Sequence, residues 1–128
     1  MTRILLADDR AEIRSALRLL LENRLDLEFI CEARDMAHVL AQVEDAHPAC
    51  IILDWNLPGR PTRGRISILR ALVPEMKIIV FNSNPELSNQ VLIEGADAFI
   101  CKSDPPEKLL NVLQTLCLCQ DENQQVRE

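Results

Sequence analysis

Ala49-Cys50-Ile51-Ile52-Leu53-Asp54 decides the fold. The side chains before the acid are all apolar, so neither face of the segment is made for water, and the run stops on a carboxylate. A strand that alternates apolar and polar residues covers a core with one face. A strand apolar on both faces belongs inside a parallel sheet with helices on either side. The flanks agree with this reading. His47-Pro48 breaks the segment before the strand, and Asp54 opens onto a loop punctuated by Pro58, Gly59, Pro61 and Gly64.

The same alternation extends in both directions. Toward the start, Met36, Val39, Leu40 and Val43 recur at helical spacing behind Asp35, an expected N-cap. Before them, Leu27 to Ala33 reads as a strand. Ile13, Leu17, Leu20 and Leu21 read as one helix face, and Ile4-Leu5-Leu6-Ala7 as a strand that stops at Asp8-Asp9. Toward the end, Ile66, Leu69, Leu72 and Val73 predict a short helix closing near Pro74, and Lys77-Ile78-Ile79-Val80-Phe81 a fourth strand. A helix is expected from Pro85, at or near its first position, to a C-cap at Gly95. Ala98-Phe99-Ile100-Cys101 makes a fifth strand ending at Lys102. A last helix from Pro105-Pro106 is expected to turn Leu109, Val112, Leu113 and Leu116 inward, and Asp121 to Glu128 reads as a polar tail. Strict strand–helix alternation with right-handed crossovers predicts a doubly wound, flavodoxin-like (βα)5 sandwich, its parallel sheet ordered 2-1-3-4-5.

Bulk properties bound the function. A chain of 128 residues suits one domain, and 48% hydrophobic but only 3% aromatic residues demand an aliphatic core. A net charge of -6 argues against direct nucleic-acid binding by this domain. The five cysteines (Cys31, Cys50, Cys101, Cys117 and Cys119) form no CxxC and are expected to be reduced thiols of a cytoplasmic protein. His38 and His47 supply no zinc-ligand spacing. The apolar run after Met1-Thr2-Arg3 is too short for a secretory leader, and no run approaches membrane-spanning length.

In a doubly wound sheet, ligands bind beyond the carboxyl ends of the strands. Those ends carry Asp8-Asp9, Asp54, Asn82-Ser83 and Lys102. With the first and third strands adjacent, three carboxylates converge, and their repulsion calls for a hard divalent cation, for which Mg2+ with its preference for oxygen ligands is the natural choice. Lys102 adds a point charge able to meet a carboxylate or phosphoryl oxygens. An aspartate between a metal and a lysine is placed to attack phosphorus.

Asp8-Asp9 after an apolar strand, Asp54 in Ile-Leu-Asp-Trp-Asn-Leu-Pro-Gly, and Lys102 after Glu-Gly-Ala-Asp-Ala-Phe-Ile-Cys together resemble the receiver domains of bacterial response regulators. The resemblance runs from Arg3 to about Cys119, so residues 1–119 are expected to form the receiver and residues 120–128 a polar tail or the start of a linker. It implies that Asp54 accepts a phosphoryl group from a sensor histidine kinase or a small acyl phosphate. It also implies that Asp9 and Asp54 ligate Mg2+ directly, with help from Asp8 and the backbone carbonyl of Asn56, and that Lys102 holds the phosphoryl oxygens. The family signals by conformational change and is no enzyme beyond self-phosphorylation and weak self-dephosphorylation. It implies an output domain or downstream target, and leaves room for a homodimer through the last helix, where Leu110, Cys117 and Leu118 would form a partly exposed apolar edge.

The chain departs from the family where its switch operates. Asn82 stands at the Ser/Thr hydroxyl position, with Ser83 next to it, and Phe99 stands at the switch aromatic position without a phenol hydroxyl. The segment from Ser83 to Gly95 is about two residues short by the same resemblance, and the loop from Arg60 to Gly64 about two long. Asn82 therefore raises an alternative, a docking module that no longer switches. A haloacid-dehalogenase-like phosphatase is disfavoured, because Asn56 occupies the place of its second aspartate and no cap domain fits. Arg60, Arg63, Arg65 and Arg70 read as a solvated basic face, and Trp55 as partly exposed packing.

Overall fold

The computed structural model describes residues 2–118, for residue 118 the backbone alone. Five strands, β1 (Thr2–Ala7), β2 (Leu27–Ala33), β3 (Cys50–Asp54), β4 (Lys77–Asn82) and β5 (Ala98–Cys101), alternate with five helices. The helices are α1 (Ala11–Arg24), α2 (Met36–Ala46), α3 (Arg65–Leu72), α4 (Ser88–Ile93) and α5 (Pro106–Leu113). All strand pairs are parallel, in the order β2-β1-β3-β4-β5 expected from the sequence.

Alternation along the central strands splits the interior into two aliphatic layers. Leu5, Ala7, Ile51, Leu53, Ile78 and Val80 face α2, α3 and α4, meeting Met36, Val39, Val43, Ile66, Leu69 and Val91. Ile4, Leu6, Cys50, Ile52, Ile79 and Ile100 face α1 and α5, meeting Leu17, Leu21, Leu109 and Leu113. Every residue of β3 is buried, as its composition required.

Local chemistry sets the element ends. The Asp35 carboxylate accepts the His38 amide at 2.8 Å, the expected N-cap of α2. His47 closes the same helix in the left-handed region (φ 44°) just before Pro48. Gly95, at φ 114°, ends α4 with a paired closure, its amide donating to the Leu92 carbonyl and the Ala96 amide to Val91. The helix expected to run unbroken from Pro85 differs: Pro85–Leu87 is one 3-10 turn capped by Asn84, and the α-helical part is only Ser88–Ile93. A proline at the start supplies no amide, and the Asn84 side chain takes the Glu86 amide instead.

Two expectations are corrected. Leu110 and Cys117 are buried, 5% and 7% exposed, and do not form an exposed apolar edge; the side chain of Leu118 lies outside the described residues. The chain beyond α5 is π-wound over Gln114–Leu118; Cys117, at helical spacing from Leu110 and Leu113, lies in line with them against α1 and the sheet, and Val112 and Leu116 are half-buried. The arginines do not form one solvated face either. Arg60 and Arg63 are exposed, but Arg65 is 5% exposed and Arg70 is half-buried, each donating to backbone carbonyls.

Of the cysteines, Cys31, Cys50, Cys101 and Cys117 are free thiols, and Cys119 lies outside the described residues. A hydrogen bond with the Cys117 thiol, together with burial, pushes the Cys50 thiol up, and burial raises Cys31. Both stay protonated and pack as small hydrophobes. Among the described residues no helix is long and apolar enough to cross a membrane.

Candidate functional site

Register places the acids. Ala7 of β1 pairs with Leu53 of β3, so the next residues, Asp8 and Asp54, leave the sheet at the same level. Ligand oxygens of Asp8, Asp9 and Asp54 lie within 4.8 Å of one another. Asp8 and Asp54 are 2% and 4% exposed, while Asp9 faces solvent.

Each carboxylate is held by specific donors. One oxygen of Asp8 accepts the Arg10 amide at 2.9 Å, and the other accepts Lys102 Nζ at 3.1 Å. Arg14 fixes the Asp8 backbone by donating to its carbonyl at 2.7 Å. Asp54 Oδ1 accepts the Asn56 amide at 3.1 Å, and Oδ2 lies 3.6 Å from Lys102 Nζ. The acids are not a capping pair for α1: its N-cap is Arg10, with no side-chain cap bond. Burial raises the Asp54 pKa from its ordinary value. The Asn56 amide and Lys102 work against that rise, and the charges of Asp8 and Asp9 add to it.

Lys102 arrives from the end of β5, its amide bonded to the Asn82 carbonyl at the end of β4. Its ammonium also sits 5.4 Å from the centre of the Phe81 ring, an attraction that helps hold an extended side chain over the site. Asn82 is 3% exposed and turns its side-chain oxygen to the Asn84 amide at 2.9 Å. Ser83 is exposed. Phe99 is half-buried against the α2–α4 layer, and Trp55 is likewise partly buried there.

The strand ends thus bring together Asp8, Asp9, Asp54 and Lys102, with Asn56 bonded to Asp54 and Asn82 beside Lys102 through the backbone. Ser83 and Phe99 are not joined to that group by any hydrogen bond among the described residues. Sequence reasoning missed Arg14, Phe81 and Arg65. Arg14 had a faint signal, a cation on the first turns of the helix that follows the acids. The other two depend on loop and strand geometry.

Three carboxylates face one lysine here, two of them out of water, so the donor set is short of positive charge and made of hard oxygen atoms. That combination fits Mg2+.

An acid cluster, an aspartate at the end of the central strand and a lysine on the neighbouring edge of a 2-1-3-4-5 sheet define a class, and the family comparison agrees. Residues 4–114 match the response regulator receiver domain. The chain belongs to that family and is a receiver domain of the two-component response regulators.

Particular relatives follow. The oxygen regulatory protein NreC of Staphylococcus haemolyticus is 29% identical over 117 residues, 89% of this chain and 54% of that protein. The chain therefore spans about half the length of the curated relatives it matches. The chemotaxis response regulator CheY4 of Vibrio cholerae is 25% identical, with a TM-score of 0.77 over 91% of this chain and 98% of that one. A receiver domain protein of Methanospirillum hungatei is 27% identical, with a TM-score of 0.77 over 96% and 98%.

Proposed function

We propose that Asp54 is the phosphoryl acceptor of this receiver and that a sensor histidine kinase is its donor. The observation that carries the reading is the pairing of Lys102 with both Asp8 and Asp54, in a cluster whose carboxylates outnumber their cations. Asp54 Oδ2 forms the new O–P bond as the N–P bond of the donor phosphohistidine breaks, and the imidazole leaves with the bonding electrons. With Oδ1 engaged by the Asn56 amide, Oδ2 is the oxygen left toward Lys102.

Asp9 and Asp54, with Asp8 and the Asn56 carbonyl, would hold Mg2+, which when bound neutralises charge on the carboxylates and on the incoming phosphoryl oxygens. Lys102 swings from Asp8 toward a phosphoryl oxygen, and the Phe81 ring limits how far its stem must reorganise. Asn82 has its side-chain oxygen committed to Asn84, so it offers the phosphoryl group its NH2. Ser83, being exposed, is available for a second hydrogen bond, and Phe99 reports the change through packing alone. A groove beside Lys102, lined by Leu17, Leu20, Phe81 and Pro105 with a volume of about 260 Å3, offers the donor an apolar foothold.

Residues 1–119 would act as the signalling unit. Because NreC is nearly twice as long as the matched segment, residues 120–128 would begin a linker to an output domain.

Trp55, the lone tryptophan, adjoins Asp54 and tests the reading. Titration with Mg2+ should change its fluorescence saturably, and beryllofluoride should then change it again only in the presence of Mg2+. Flat titrations with both would contradict the proposal.

A further inference from the structure

Among the described residues Arg65 is the one buried arginine, and its guanidinium is spent on the loop that follows Asp54. Nε donates to the Pro61 carbonyl at 2.7 Å, one terminal nitrogen to Gly59 at 2.9 Å, and the other to Trp55 at 3.4 Å. The last bond, the longest of the three, lands on a particular peptide. The Trp55 carbonyl and the Asn56 amide belong to one planar trans unit, so they point in opposite directions. The Asn56 amide is the donor to Asp54 Oδ1. Whatever fixes the Trp55 carbonyl therefore aims that amide.

The neighbouring peptide is pinned as well, the Trp55 amide donating to Phe81 of β4 at 3.1 Å. The far side of the loop is tied to α2, the Met36 amide donating to the Pro58 carbonyl at 2.9 Å. No other hydrogen-bond donor meets the Trp55 carbonyl among the described residues. Burial lowers the Arg65 pKa while the charge of Asp54 acts in the opposite direction, so the two groups are within electrostatic reach of one another.

We infer that Arg65 is a positioning residue for phosphoryl transfer: by holding the Trp55 carbonyl it orients the 55–56 peptide, whose amide sets the rotamer of the Asp54 carboxylate and presents Oδ2 toward Lys102. The inference rests on the proposed role of Asp54 as acceptor, and it adds a residue eleven positions away that no strand-end pattern would select. A lysine at this position would keep the charge but could not span three carbonyls with a planar fork.

The test compares full-length wild type, Arg65→Lys and Arg65→Met by 15N NMR and by intact mass after incubation with acetyl phosphate and Mg2+. In the wild type, the Asn56 amide proton should resonate downfield of the other loop amides and exchange slowly with solvent, as a donor to a carboxylate does. In either folded variant that resonance should move upfield and exchange faster, and phosphorylation of Asp54 should slow by ~10- to 100-fold. Lysine should fail to rescue.

An Asn56 amide that is unshifted in the folded variants, or a rate within twofold of wild type, overturns the inference. If neither variant folds, the wild-type spectrum still decides, because a fast-exchanging Asn56 amide contradicts it. If the wild type takes no phosphoryl group, the proposed function fails, while the amide signature separately judges the link from Arg65 to Asp54.

Discussion

Asp54 is kept charged at a cost. Its pKa is raised by burial first and by Asp8 and Asp9 after that. For an acid whose folded pKa exceeds its unfolded one, the sign is fixed: stability falls as pH rises through the folded value. In metal-free buffer at neutral pH, Asp54→Asn should therefore raise the midpoint of thermal unfolding, and the advantage should vanish on acidification below the carboxylate range. A lower midpoint for the variant at neutral pH would contradict this. Glu32 has the opposite sign. Burial pushes it up, but Arg18 and Arg14, at 2.8 and 2.9 Å from its two oxygens, bring it below the ordinary value. Glu32→Gln should cost ~1 kcal/mol at neutral pH in urea unfolding, given that both ion pairs are partly exposed. The loss should disappear as pH falls through the depressed value, where the wild type has lost the same interaction. The acids and Lys102 were legible because polar residues that end apolar runs mark strand ends. Arg65 was not, because four arginines between positions 60 and 70 look alike until the loop's carbonyls have directions.

Elements carry these residues only as well as their ends are fixed. Gly95 ends α4 at φ 114°, and Arg70 donates to its carbonyl as well as to Met76 and Asp97, tying α3, β4 and the start of β5 together. An added Cβ at Gly95 would reach Ile66 at 3.4 Å, an ordinary contact, so strain in the backbone dominates. Gly95→Ala should cost ~1–2 kcal/mol, read as a shift in the urea midpoint at unchanged slope. Asp35→Ala should cost ~1 kcal/mol through loss of the α2 cap. Strand boundaries were legible from apolar runs that stop at acids, lysine or asparagine. The inward face of α5 was legible only in part. Leu109 and Leu113 fit the expected stripe, but Leu110, Leu113 and Cys117, at i, i+3 and i+7, share a helical face as well, and the expectation of an exposed edge at Leu110 and Cys117 passed over that spacing.

At the scale of the molecule, the sheet is a frame that brings acids from two adjacent strands and a lysine from an edge strand to one rim. Sheet order was legible because an all-apolar β3 must be central and right-handed crossovers leave few alternatives. The partner side was less so, since loop lengths at the rim follow no periodicity. A cation that binds only the folded rim should stabilise the whole chain by mass action. Mg2+ at a hundredfold excess over its dissociation constant should add ~2.7 kcal/mol to the wild type. Much less should be gained by Asp9→Asn, measured by thermal unfolding.

The most direct measurement is intact mass after incubation with acetyl phosphate and Mg2+, for wild type and Asp54→Asn. The account predicts the mass of one phosphoryl group on the wild type, lost on raising the pH as an acyl phosphate is, and none on the variant. A phosphoryl group that survives the substitution, or a wild type that never acquires one, would contradict it.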